Sequence, residues 1–335
     1  MTVATAPADH VRTLVDAKLD TFAAQRLDEL RFVGDEHVAV LREALAPFLG
    51  DSGKRLRPMF VYWGHRAAGG RDEDLETVVA AGCAVELVHT AALLLDDVMD
   101  QAELRRGRPA AHLTLARHGG ARFGESAATL LGMLALTWAD AALLEVGPRL
   151  GPALEVLTLL RVEAVGGQYL DLTGTASPRT VSRYKSAKYT VERPLHLGHA
   201  LAAGDERTRR LLSGYALPVG EAFQLRDDIL DVFGDPAVTG KPTGGDLRLH
   251  RNSMLLELAR ERADADGELL LETAGNDLGR ARAFIRSCGA LEEVEARIDT
   301  LVEHGLRALE RPPGLPPDAV EALADLAVRA ARRER

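Results

Sequence analysis

Two stretches of the chain set three aspartates at positions i, i+1 and i+4 behind an apolar run. LLLDDVMD carries Asp96, Asp97 and Asp100, and FQLRDDILDVFGD carries Asp227, Asp228 and Asp231. On a helix, i and i+4 share a face, so Asp96 pairs with Asp100 and Asp227 with Asp231, while each middle aspartate lies about 100° around. Like charges at this spacing destabilise a bare helix, and a cation held between them removes the conflict. Hard oxygen donors without a companion His/Cys cluster suit Mg²⁺, which keeps several waters and completes its shell with substrate phosphate oxygens. The aspartates therefore predict a polyphosphate ligand as well as a metal. One such motif in an acidic protein reads as a solvated helix end; two, each closing an apolar helix, carry the metal reading.

Cations suited to that ligand recur near both motifs. Lys54, Arg55 and Arg57 stand in DSGKRLRP, and Arg105, Arg106 and Arg108 in ELRRGRPAAH directly after the first acidic motif. Lys185 and Lys188 follow in YKSAKYT, then Lys241, Asp246 and Arg248 in GKPTGGDLR. Guanidinium forks and ammonium point charges both match phosphate oxygens. Taken singly each is an ordinary surface charge, above all Arg55, Arg108 and Lys188; the clustering carries the argument. GKPTGGD lacks the P-loop spacing and follows no strand, which excludes an ordinary ATPase loop.

The elements that must position these groups read as helices. Of 335 residues only 4% are aromatic, and alternating β-branched runs are nearly absent. Helical segments are expected over residues 9–28, 36–48, 55–68, 73–100, 121–146, 151–172, 179–203, 206–232, 252–264, 290–310 and 318–333. TVVAAGCAVELVHTAALLLDD and ESAATLLGMLALTWADAALL are apolar on more than one face and are expected inside a bundle. No linker demands a second module, so one domain over 1–335 is expected, with 1–8 a flexible lead and 318–335 a terminal helix after PPGLPP. A net charge of −9 argues against nucleic acid as a partner. The N-terminus lacks the apolar core of a secretory signal, and the longest uncharged central run, SAATLLGMLALTWA, is shorter than the roughly 20 residues a transmembrane helix needs. A cytoplasmic protein with no transmembrane segment is expected. Cys83 and Cys288 read as reduced, partly buried thiols and not as metal ligands.

GKRLRP, ELVH, DDVMDQAELRRGRP, GGQYLDL, KSAKYTVERPLHLG, FQLRDDILDVFGD and GKPTGGDLR, in that order over residues 30–260, resemble the landmarks of the all-trans polyprenyl diphosphate synthases. The resemblance implies an all-α, isoprenoid synthase type fold: a single-domain bundle of long antiparallel helices around a central cavity, working as a homodimer. It implies an Mg²⁺-dependent prenyltransferase, with three ions around bound diphosphate, that joins isopentenyl diphosphate to an allylic diphosphate. Asp96 and Asp100 would then bind metal with Asp97 alongside, and Asp227 would be the main ligand opposite, supported by Asp228 and Asp231. Arg105, Lys185 and Lys241 would hold the allylic diphosphate, with Ser186 and Gln224 lining that side. Lys54, Arg57, His89 and Arg106 would hold isopentenyl diphosphate. Without the resemblance, His89 reads as a satisfied helix histidine and Gln224 as a core cap. The family's chemistry also implies that the departing diphosphate is the base, and no histidine or glutamate in the sequence demands that role.

Chain length is read from the same helix. Ala92 and Ala91 stand four and five residues before Asp96, where bulky aromatics in the family stop growth early. Alanines there imply a product beyond C15, with geranylgeranyl diphosphate (C20) expected and farnesyl or longer chains as alternatives. Met133, Leu134 and Thr137 either close the tunnel or pack between helices. Three departures stand out: Leu95 where many relatives have histidine, Met133 where an acidic residue is common, and DLRLHRNS at 246–253 where DLREGKRT is usual, with Arg251 in place of the lysine. The last of these keeps two other reactions in view, a terpene cyclase and an irregular coupling enzyme. A non-catalytic bundle is the third reading, opposed by the complete acidic motifs.

Overall fold

The computed structural model describes residues 8–50, 55–235, 243–248, 251, 253–275, 277–310 and 314–332. The expectations for Lys54, Lys241, Leu249, His250 and the 1–7 lead lie outside the described residues. Among the described residues the only strands are two residues long, Leu104–Arg105 and Arg108–Pro109; the all-α expectation holds. Contacts group the chain into two compact units, residues 1–157 with 196–204, and residues 158–195 with 205–335.

The first unit contains helices Ala8–Asp28, Asp35–Leu49, Leu56–Ala67, Leu75–Met99 and Ala121–Leu143. Leu75–Met99 is its centre: every residue from Val78 to Val88 is buried, as its all-round apolar sequence requires. Ala121–Leu143 departs from expectation. Ala128, Leu131, Ala135, Trp138, Ala139 and Ala142 form a buried face at helical spacing, but Leu130 and Met133 on the other side are 64% and 58% exposed. Apolar composition did not reveal that half of this helix lies open.

The second unit is organised on the helix Glu206–Phe233, whose N-cap Asp205 accepts the Thr208 N–H at 2.7 Å. It is tied to the terminal helix Pro317–Ala331, the Tyr215 hydroxyl donating to the Leu323 carbonyl at 2.7 Å and Arg226 Nε to the Ala331 carbonyl at 2.6 Å. Arg226 also forks onto Glu295 of the helix Ala290–Leu309. The segment 265–289, without an expected helix, folds into Ala265–Glu272 and Leu278–Ser287, each opened by an aspartate cap, Asp264 and Asp277. These helices are too short for periodicity to reveal.

The expected 179–203 helix is not uniform. Pro178–Val181 is α-helical, Ser182–Glu192 is π-helical, and Arg193–Leu201 returns to α. Two glycines explain how the wider winding is accommodated. A Cβ at Gly167 would lie 2.4 Å from the Lys185 nitrogen, and one at Gly220 would lie 2.5 Å from Ala187 Cα. Both neighbouring helices approach the π-helical backbone more closely than any side chain permits.

By length and hydropathy alone, Asp72–Met99 and Ala121–Thr173 are long and apolar enough to cross a membrane. Charged residues interrupt both, which is why counting uncharged runs missed them. The first is 78% buried over its most apolar window and the second 44%; enclosure accounts for the former.

Gly220→Ala should destabilise the protein by about 1–3 kcal/mol, the usual cost of overpacking. Urea unfolding monitored by circular dichroism checks this; an unchanged midpoint would show that the π-helical stretch can move aside freely.

Candidate active site

In the first unit the 75–99 helix delivers its aspartates at its C-terminus. The Asp100 N–H closes the last turn on the Asp96 carbonyl at 2.8 Å, leaving the Asp96 and Asp100 side chains partly exposed. Asp97 is fully enclosed. What makes that tolerable is Arg105, itself buried, whose Nε donates to Asp97 Oδ1 and Oδ2 at 3.0 and 3.1 Å and whose Nη2 also bonds Oδ1. Arg105 Nη2 comes within 3.8 Å of Asp96. The chain reverses to make this contact through Arg106 and Gly107, both at positive φ (53° and 73°), between the paired residues Arg105 and Arg108. Positive φ at both central residues is the hairpin geometry that matches strand twist, and glycine removes half of its steric cost. Arg105, expected on a diphosphate, is thus engaged with the middle aspartate, and Asp96 and Asp100 form the outward face.

A basic group forms in the same unit. Arg106 Nη1 donates to the Pro47 carbonyl at 2.8 Å. Burial, followed by the fields of Arg57, Arg106, Arg105 and Arg55, holds the His89 pKa well below its ordinary value. The fold therefore brings Arg57 and Arg106, 49 positions apart in sequence, together with His89 in one positive region suited to an anion. Arg55 corrects the sequence reading: it is 3% exposed and not a surface charge. Arg108 is exposed as expected.

Ala91 is fully enclosed, whereas Ala92, one turn from Asp96 and on its side of the helix, is partly exposed. Leu95 fills space against the neighbouring helix: a Cβ at Gly132 would lie 2.8 Å from Leu95 Cγ. Met133 and Thr137 are exposed within this unit and are not packed between its helices; Leu134 is half-buried.

In the second unit the 206–233 helix carries the other motif. Asp227 and Asp231 are partly exposed and Asp228 is buried. Ser186 donates to Gln224 Oε1, and Gln224 Nε2 donates to Asp228 Oδ1 at 2.8 Å. Burial, then Asp246, push the Asp228 carboxyl well above its ordinary pKa, opposed by the Gln224 hydrogen bond and reinforced by Asp227 and Asp231. Asp231 organises the following turn, its carbonyl and Oδ2 accepting from the Gly244 and Asp246 N–H groups at 2.6 and 2.9 Å. Burial and Asp231 push Asp246 up to about 7. Lys185 pairs with Asp171 at 2.6 Å. A pocket in this unit is lined by Asp171, Lys185, Ser186, Gln224, Asp228, Asp246 and Arg251, among others, but not by Asp227 or Asp231.

A divalent cation would relieve the repulsion among Asp227, Asp228, Asp231 and Asp246, and the all-oxygen donor set fits Mg²⁺. Among the described residues no three acidic, histidine or cysteine side chains already converge on a point. Carboxylates offered singly or in pairs suit an ion that takes most of its shell from water and phosphate.

Asp171 escaped the sequence reading because an isolated acid in GGQYLDL has no spacing partner; only the fold sets it beside Lys185. Lys188 is likewise not a free surface charge, since it and Arg193 both pair with Glu163, the Arg193 contacts being 2.6 and 2.8 Å.

The polyprenyl synthetase family model matches residues 38–287. The chain is 34% identical over 227 residues to farnesyl diphosphate synthase of Geobacillus stearothermophilus, covering 63% of this chain and 72% of that one. It is 30% identical to geranylfarnesyl diphosphate synthase of Aeropyrum pernix, covering 81% and 87%. Among solved structures, geranylgeranyl pyrophosphate synthase of Corynebacterium glutamicum, complexed with isoprenyl diphosphate and magnesium, is 33% identical, with a TM-score of 0.89 over 98% of this chain and 100% of that one. With a motif match across most of its length and a shared all-helical fold, this chain belongs to the polyprenyl synthetase family and is a prenyltransferase of the isoprenoid synthase fold.

Proposed function

We propose that the enzyme condenses isopentenyl diphosphate with an allylic diphosphate to an all-trans prenyl diphosphate, geranylgeranyl diphosphate being the product, and that both compact units act as one catalytic domain. The observation that carries this reading is the basic group of Arg57, His89 and Arg106, present in addition to the acidic motifs. A cyclase acting on one diphosphate has no use for a second anion site.

Asp96 and Asp100 on one helix, and Asp227 and Asp231 with Asp228 on another, are the groups that would hold Mg²⁺. Mg²⁺ bound by these carboxylates, three ions in the proposed complex, would supply charge that neutralises the departing diphosphate. Lys185 and Lys241 add positive charge on that leaving group, and Arg105 keeps Asp96 and Asp97 in place while contributing its own. Ser186 and Gln224 orient the allylic side through their hydrogen-bonded chain to Asp228. Lys54, Arg57, His89 and Arg106 hold isopentenyl diphosphate so that its double bond meets the allylic carbon, exchanging translational freedom for a fixed approach. The departing diphosphate takes the proton lost from the adduct, completing the double bond of the product.

A cytoplasmic homodimer is the proposed form. Val162, Val165, Tyr169 and Leu172 lie at 3-4-3 spacing along the helix Leu150–Thr173 and are 63%, 69%, 66% and 54% exposed. A continuous apolar seam of this kind is a surface for another helix.

Asp96→Ala and Asp227→Ala should each lower turnover at least about a hundredfold, the scale for losing one contact to developing charge, with helicity unchanged. Mass spectrometry of products formed from isopentenyl diphosphate with dimethylallyl, geranyl or farnesyl diphosphate is the readout. Failure to elongate any primer, or hydrocarbon release without isopentenyl diphosphate consumption, would reject the synthase reading.

Ala92→Phe should shorten the product, because position 92 shares the open side of the helix with Asp96. Ala91→Phe, at an enclosed position, should instead cost about 1–3 kcal/mol of stability. Product lengths and urea midpoints of the two variants separate these effects; an unchanged length in Ala92→Phe would assign length control elsewhere.

A further inference from the structure

Arg55 has an unusual place for a charged residue. Its side chain is 1% exposed, and its backbone is left-handed (φ 45°, ψ 41°) at the start of the helix Leu56–Ala67. A non-glycine residue keeps that conformation only where its surroundings hold it. Here the guanidinium supplies the hold: Nε donates to Asp16 Oδ1 at 2.6 Å, Nη1 to Glu86 Oε2 at 3.0 Å, and Nη2 to the Leu49 and Gly50 carbonyls at 2.8 and 3.0 Å.

Those acceptors belong to the segments that carry the basic group. Glu86 is one helical turn before His89 on the 75–99 helix. Leu49 and Gly50 follow closely on Pro47, whose carbonyl receives Arg106 at 2.8 Å. Arg55 itself adjoins Lys54 and stands two residues before Arg57. Asp16 anchors the arrangement to the helix Ala8–Asp28. A planar fork can donate in these separate directions at once, which a lysine ammonium on a flexible stem does not reproduce.

We propose that Arg55 is a positioning residue for the isopentenyl diphosphate half-site, an inference that rests on the two-substrate reading above. It touches no substrate. It fixes the spacing among Arg57, His89 and Arg106 by tying their three segments to one buried point, so its replacement impairs recognition of one substrate and spares the other.

Removing Arg55 alone would leave the Glu86 carboxylate, 4% exposed, without its cation, and folding could fail for that reason. Two variants avoid this: Arg55→Lys, which keeps the charge, and the double variant Arg55→Gln with Glu86→Gln, which removes both charges. Steady-state elongation by the full-length protein with Mg²⁺, varying each diphosphate against saturating amounts of the other, is the test. Both variants should raise the KM for isopentenyl diphosphate about tenfold or more, a modest loss for a displaced binding group, while the KM for the allylic diphosphate and the circular dichroism spectrum stay unchanged. Arg57→Ala is the control. If it raises the KM for isopentenyl diphosphate and neither Arg55 variant does, Arg55 has no positioning role. If both KM values rise together as thermal stability falls, Arg55 is a general structural staple and the proposal is wrong. An unchanged KM in Arg57→Ala would overturn the half-site reading and this proposal with it.

Discussion

The fork of Arg105 on Asp97 is the contact on which the first acidic motif depends. A helix as apolar as 75–99 is stable because it is enclosed, yet enclosure forbids an unpaired carboxylate at its end. Arg105 meets that constraint with a bidentate, charge-assisted contact. The chain must turn back sharply to make it, which is what Arg106 and Gly107 at positive φ achieve. With the middle aspartate satisfied internally, the outer pair stays on the helix's open side. The same motif therefore contains one carboxylate enclosed by an arginine and two that are partly exposed.

The second motif meets the same constraint differently. Asp228 receives a neutral amide hydrogen bond from Gln224, and neighbouring acids raise its pKa further. That contact is a neutral hydrogen bond and not an ion pair, which is how the second motif differs from the first. Lys185 is similarly occupied by Asp171. The Ser186–Gln224 bond fixes the direction of this polar chain.

Much of this was legible beforehand for definite reasons. The i, i+1, i+4 aspartates are visible because helix geometry makes their repulsion obvious, and the long helices 75–99 and 206–233 are visible because their apolar or amphipathic runs are long. The ordered landmarks identified the family for the same reason: they are local strings. Arg55 and Lys188 were misread because burial and ion pairing are properties of the fold. Leu95 looked like an unexplained departure until Gly132 supplied the space for it. The 121–143 helix was expected inside a bundle because composition does not record which side has neighbours.

By itself, the sequence determined that the chain is helical and that it carries two carboxylate triplets with basic residues beside them, a pattern that points to a metal and a polyphosphate. Those conclusions follow from intrinsic charge, propensity and spacing along the chain, which need no tertiary context. Tertiary structure alone decided which aspartate each arginine neutralises, that residues 182–192 wind as a π-helix between Gly167 and Gly220, and that Arg55 lies at the buried junction of three segments. Such facts depend on desolvation and on contacts between residues distant in sequence, and no local pattern encodes either.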